Sequence, residues 1–215
     1  MLGGVVVVLG LLVYQIVQRR RASAALEAVA DRFGLGVSAS SLSRNPLAEG
    51  HTEGRKVEVR TVDSRTGRGS SIATIIRVQM GADVPKDLVL AEESLMTKLH
   101  KTLGGRDLEI GVASFDRNML ISADEASESR VRELLGSPAN RQFVREFLAT
   151  PGLASIEEGY ARLRLSGYVT DPDRLRRSIE ACMECARHVG SGDAPGLRHQ
   201  HVASSAVESA GAQTT

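Results

Sequence analysis

Residues Arg55 to Met80 read RKVEVRTVDSRTGRGSSIATIIRVQM, and their alternation decides the fold class. Val57, Val59 and Thr61 alternate with Glu58 and Arg60, which is the period-two pattern of a half-buried strand. Ile72, Thr74, Ile76, Val78 and Met80 then share one face of a second strand. Between the two, Asp63 to Ser70 carries turn residues, so the segment is predicted to fold as an antiparallel hairpin.

Downstream, Leu88 to Leu90 is expected as a third strand, and Glu92 to Lys101 as a short helix or irregular excursion. Gly104 to Gly111 reads as a turn followed by a short strand, and Met119 to Ser122 as another. Polar residues then introduce helices. One is predicted from about Ser127 to Leu135. A second starts at Ser137, with Pro138 in the first turn, and buries Phe143, Val144, Phe147 and Leu148 before Gly152. Ser155 to Glu157 and Tyr160 to Leu165 flank Glu158-Gly159 as a second hairpin. Asp171-Pro172-Asp173 combines a cap, an N1 proline and an acid suited to the helix dipole. It opens a last helix expected to bury Leu175, Ile179, Cys182, Ala186 and Val189 before Gly190. Upstream, residues 37 to 50 are serine-rich, contain Asn45-Pro46, and read as a loop. Hairpins with helices between and after them define an α+β domain whose antiparallel sheet is covered on one face by helices.

The N-terminus is of another kind. Leu2 to Val17 (LGGVVVVLGLLVYQIV) has no charge and is followed at once by Gln18-Arg19-Arg20-Arg21. At ~1.5 Å per residue it covers about 24 Å, so Met1, Gln18 and snorkelling arginine stems must complete a ~30 Å span. The charge follows the apolar run, the reverse of a cleaved signal, and no lipidation cysteine is present. The expectation is an uncleaved single-pass transmembrane anchor in the inner (cell) membrane, with Arg19 to Arg21 and the domain behind them on the cytoplasmic side. Leu26, Val29, Ala30 and Phe33 continue at helical spacing to Gly34 and Gly36, so the helix is expected to run on from the membrane into the domain. The division is 1–21 anchor, 22–190 α+β domain, and 191–215 a tail without periodicity, read as disordered.

Composition removes several classes of function. The 27 Lys and Arg nearly cancel 26 Asp and Glu, so no general field draws nucleic acid. Aromatic residues make up 3% and tryptophan is absent, which leaves little for base or sugar stacking. Two cysteines on one helix cannot staple a secreted scaffold.

Gly50, Gly54-Arg55, Val57 and Val59, then Gly105-Arg106-Asp107-Leu108-Glu109-Ile110-Gly111 with Phe115-Asp116, Leu134-Leu135 and Asp171-Pro172, form a pattern over about residues 25–189. It resembles a group of uncharacterised bacterial proteins with one N-terminal membrane anchor. The resemblance implies a fold and carries no activity, ligand or catalytic residue.

Three groups of residues invite a chemical reading. Cys182, Cys185 and His188 form C-x-x-C-x-x-H along one helix, with His199 and His201 in the tail as further donors. A structural zinc site wants a turn between its cysteines and a fourth ligand, whereas Cys182 falls in register with the apolar stripe and reads as core. Thioredoxin-like chemistry would need the pair at a helix start. Arg65-Thr66-Gly67-Arg68-Gly69-Ser70 has the composition of an anion cradle but no Walker lysine, and reads first as a solvated hairpin tip. Arg65 and Arg68 would otherwise join Arg19, Arg20 and Arg21 in contacting anionic headgroups. Asp107, Glu109 and Asp116 lie close in sequence, but alternation makes the first two a polar strand face, and His51 and His100 have no triad context. No cofactor is expected. The function expected is a non-enzymatic interaction or accessory domain contacting the bilayer through Leu2 to Val17 and an unidentified protein. The alternative is a headgroup or small-ligand binder, or an enzyme, at the membrane surface.

Overall fold

The computed structural model describes residues 2–38, 45–66, 69–92 and 106–189. Helix α1 (Leu2–Ala30) leads through a 3-10 turn (Asp31–Phe33) into strands β1 (Leu35–Ser38), β2 (Leu47–Thr52), β3 (Arg55–Thr66), β4 (Gly69–Gln79) and β5 (Val89–Glu92). There follow β6 (Arg106–Asp107), the one-turn helix α2 (Ala113–Asp116), β7 (Met119–Ala123), α3 (Glu128–Gly136), α4 (Pro138–Leu148), β8 (Leu153–Glu157), β9 (Tyr160–Ser166) and α5 (Pro172–His188).

The described strands form one nine-stranded sheet in the order β1-β2-β3-β4-β9-β8-β5-β7-β6, and every pairing is antiparallel. The expected α+β class and both hairpins are present. The first hairpin is longer than expected: β3 and β4 stay paired as far as Thr66 and Gly69, so Asp63 to Ser70 is mostly strand. The second closes on Glu158-Gly159, with φ of 54° and 74°. Glu53-Gly54 repeats this turn between β2 and β3, with φ of 52° and 74°. Left-handed backbone at both loop positions matches the twist of the flanking strands.

The expected loop at 37–50 needs correction. Its start belongs to β1 and its end to β2, with residues 39–44 outside the described set. Gly50 is the reason these short strands fit: a Cβ there would lie 2.6 Å from the Gly34 carbonyl oxygen and 3.0 Å from Leu35 Cα. The expected strand up to Gly111 is reduced to the Arg106–Asp107 pairing with β7. The excursion from Glu92 to Lys101, the Gly104-Gly105 turn, Gly190 and the tail 191–215 lie outside the described residues.

Local capping explains the later helices. Ser137 caps α4, accepting from the Asn140 backbone N–H at 3.5 Å ahead of Pro138. Asp171 caps α5 through the Asp173 N–H at 3.0 Å, with Pro172 in the first turn. The α5 face of Leu175, Ile179, Cys182, Ala186 and Val189 is buried as expected, and Met183 and Cys185 join it. It lies over β4 and β9, where Ile76, Val78, Ala161, Leu163 and Leu165 close the core with Leu26, Val29 and Phe33 of the N-terminal segment. Each large apolar side chain withdrawn from water here contributes on the order of 1.5–3 kcal/mol.

Helix α1 is continuous from Leu2 through Ala30. Its C-terminal part packs into the domain: Ala22, Ala25, Leu26, Val29 and Ala30 are buried. Residues 13–17 do not. Val13, Tyr14, Gln15, Ile16 and Val17 are all exposed, and five consecutive helical positions point in every direction around the axis. Among the described residues, no helix is long and apolar enough to cross a membrane. The side chains of residues 2–9, 11 and 12 lie outside that set.

Candidate functional site

Alternation in the central strands sends Val57, Val59, Ile76, Val78, Ala161, Leu163 and Leu165 to the helices. It sends Glu58, Arg60, Ile75, Arg77, Arg162 and Arg164 to the opposite face. Register then assembles these into rows. Glu58 faces Arg77, which faces Arg162, which faces Ser155. One step along the strands, Leu47 faces Arg60, Arg60 faces Ile75, Ile75 faces Arg164 and Arg164 faces Leu153. With neighbouring strands about 4.8 Å apart, four guanidinium groups surround Ile75 within two rows.

Acidic neighbours take up part of this charge. Arg77 donates to Glu158 at 2.9 Å and lies 4.2 Å over the Tyr160 ring. Glu58 approaches Arg60 Nε at 3.3 Å without the geometry of a hydrogen bond. Arg162 donates through Nη1 to Glu157, whose residue is 7% exposed. Three capacities remain. The Nε–H groups of Arg60 and Arg162 are buried with no acceptor. Arg164 makes no ion pair among the described residues. Burial, followed by the fields of Arg77, Arg164 and Arg60, pushes the Arg162 guanidinium below its ordinary value. Four guanidinium groups on this face thus meet the carboxylates of Glu58, Glu157 and Glu158, and Arg164 is the one left over among them.

Among the described residues, the cysteines and His188 singled out from the sequence lie elsewhere. Cys182 and Cys185 are both fully enclosed in the core, and burial pushes both thiols up. His188 stacks on Phe143, ring centroids 4.1 Å apart and 6° from parallel. Among the described residues no three His, Cys, Asp or Glu side chains converge to hold a metal ion. His199, His201 and Arg68 lie outside the described residues, as does the side chain of Arg65. Arg20 and Arg21 are exposed on α1, and Arg19 is half-buried. Glu109 is exposed, and Asp116 Oδ1 accepts from the Ile110 N–H at 3.1 Å, a structural use. His51 is exposed at the β2 edge of the hairpin, and His100 lies outside the described residues.

A shallow cleft of about 440 Å³ opens between Arg32, Phe33, Thr52, Glu53, Glu180 and Arg187. Four of its charges are matched in pairs, Arg32 with Glu180 at 3.3 Å and Arg187 with Glu53 at 3.0 Å, and Glu184 also lines it. No nucleophile and base are brought together there.

Sequence alternation marks Arg60, Arg162 and Arg164 as polar strand positions, and Arg77 falls on the same face. It carries no signal that β4 pairs with β9. In comparisons with known proteins, no family model matches the chain and neither a curated protein nor a solved structure matches it. The reading of function therefore rests on the molecule itself.

Proposed function

We propose that the protein is a membrane-tethered, non-enzymatic interaction domain, held by α1 at the inner (cell) membrane and facing the cytoplasm. The observation that carries the reading is the apolar helix leaving the domain: Val13, Tyr14, Ile16 and Val17 are 54%, 61%, 43% and 40% exposed, although the same helix is buried from Ala22 onward. Exposed apolar side chains clustered on a helix call for an apolar surrounding, and a bilayer supplies one. Arg19, Arg20 and Arg21 follow directly, where headgroups would meet them and where positive charge favours the cytoplasmic side. Since packing joins the helix to the core, the domain would sit against the bilayer instead of swinging on a tether.

The test is fractionation of cells expressing the full chain, with reporters fused after Thr215. The expected result is a carbonate-resistant membrane protein whose cytoplasmic reporter is active, and a soluble product on deletion of Leu2 to Val17. Release of the full chain by carbonate, or an active periplasmic reporter, overturns the anchor or its direction respectively.

A further inference from the structure

We propose that the sheet face turned away from the helices docks an acidic protein segment that also carries apolar side chains, seated on Arg60, Arg77, Arg162, Arg164 and Leu153. The inference names the partner chemistry of the interaction domain and rests on that reading, but not on the anchor.

Two independent observations converge on it. The first is an Arg164 guanidinium with no ion pair among the described residues, beside Arg60 and Arg162, whose side chains are 43% and 28% exposed. Carboxylates fit the planar guanidinium fork with two oxygens. The second is the chemistry between the arginines. The row Leu47, Arg60, Ile75, Arg164, Leu153 alternates apolar and cationic side chains across five adjacent strands. Leu153 ends that row 47% exposed, the one large apolar side chain exposed in the described part of the chain beyond α1.

That mixture selects the occupant. A phosphate or lipid headgroup would engage the arginines and leave the exposed Leu153 unused. A polypeptide with glutamate or aspartate interleaved with leucine or valine engages both, through ion pairs that set register and apolar contacts that add affinity. Glu58, Glu157 and Glu158 already temper Arg60, Arg162 and Arg77, so the surface suits a segment of modest negative charge better than a polyanion.

The experiment uses the full chain in detergent micelles and a fluorescent synthetic peptide of alternating glutamate and leucine, read by anisotropy. Inorganic phosphate and phosphatidylglycerol vesicles serve as comparison probes. Expected is salt-sensitive peptide binding that weakens about tenfold in Arg164→Glu, a residue without an ion pair to lose, and is unchanged in Arg174→Glu on α5. Leu153→Gln is expected to weaken the peptide severalfold without affecting phosphate. Equal affinity of Arg164→Glu and the parent, or no peptide binding, overturns the proposal. Arg164-dependent binding of vesicles or phosphate without the peptide also overturns it, and assigns the face to headgroups or free phosphate. Carbonate release of the full chain would refute the anchor while leaving this result standing.

Discussion

Arg187, in the last turn of α5, grips Glu53 at the tip of the β2–β3 hairpin through two nitrogens: Nε donates to Oε2 at 3.1 Å, and Nη2 to both carboxylate oxygens at 3.0 Å. The two residues are 134 positions apart, and the contact ties the end of the last helix to the first third of the sheet. Glu53 itself has left-handed backbone at φ 52°, so the turn presents its side chain toward the helix. Glu158 has the same left-handed backbone at the β8–β9 turn and meets Arg77, on the face turned away from the helices.

Both members of the Arg187–Glu53 pair are about half exposed, at 47% and 52%, so water screens the attraction. Arg187→Ala is therefore expected to lower unfolding free energy by no more than ~1 kcal/mol, with the difference shrinking in added salt. Denaturant titration at two ionic strengths measures this. A loss several times larger would mean the pair is shielded far more than its exposure indicates.

Asp87 is the carboxylate through which the loop before β5 holds the turn after β7. Its Oδ2 accepts from the Asp124 N–H at 2.8 Å and its Oδ1 from Ser127 Oγ at 2.7 Å. Burial pushes its pKa up, but these bonds and the charge of Arg130 together outweigh burial and leave it below the ordinary carboxylate value. A depressed folded-state pKa means stability that is complete above the unfolded carboxylate range and is lost as pH falls through the folded value. Asp87→Asn should accordingly destabilise at neutral pH and flatten the acid limb of the stability profile. Parallel acid limbs in parent and variant would show that Asp87 carries none of the dependence.

Helix ends were readable from the sequence because their determinants are local: Ser137-Pro138 and Asp171-Pro172 each carry cap and N1 proline within two residues. The long hairpin was readable from its own alternation. Strands β1 and β2 were not, since a serine-rich stretch followed by Leu47-Ala48-Glu49-Gly50 has little strand propensity. The pairing of β1 with β2 and of β2 with β3 supplies what composition withholds. The arginine face was hidden for a stronger reason. Arg60 and Arg164 become neighbours across Ile75 only through the β3–β4 and β4–β9 registers, a relationship between residues more than a hundred positions apart. The C-x-x-C-x-x-H spacing stood out in one dimension, whereas the fold gives its cysteines to the core and its histidine to Phe143.

The buried thiols make a prediction with a definite sign. Burial raises both Cys182 and Cys185, and the neighbouring Cys185 raises Cys182 further, so the folded state favours the neutral thiols. Stability from this source is fully present below the unfolded thiol value, about 9, and declines as pH rises above it. The denaturant midpoint should hold steady near neutral pH and fall in the alkaline range, less steeply in a Cys182→Ala, Cys185→Ala double variant. A disulfide-exchange reagent should label neither cysteine until the protein unfolds. Prompt labelling under native conditions would show that α5 opens locally.

Gly50 and Gly54 allow a comparison between two ways in which a glycine is required. At Gly54 an added Cβ meets nothing within 4 Å, and the cost of alanine is only its φ of 74°, on the order of 1 kcal/mol. At Gly50 the Cβ would stand 2.6 Å from the Gly34 carbonyl oxygen and 3.0 Å from Leu35 Cα, both backbone atoms that cannot rotate away. Relief requires β1 to move off β2, which breaks pairing from Leu35 to Ser38 and disturbs the α1 exit at Gly34. Gly50→Ala is expected to cost ~1–3 kcal/mol and more than Gly54→Ala, with the excess appearing as faster amide exchange in β1. If the two variants unfold at the same denaturant concentration, the close approach of Gly34 to β2 does not constrain the domain, and the helix could leave at a different angle.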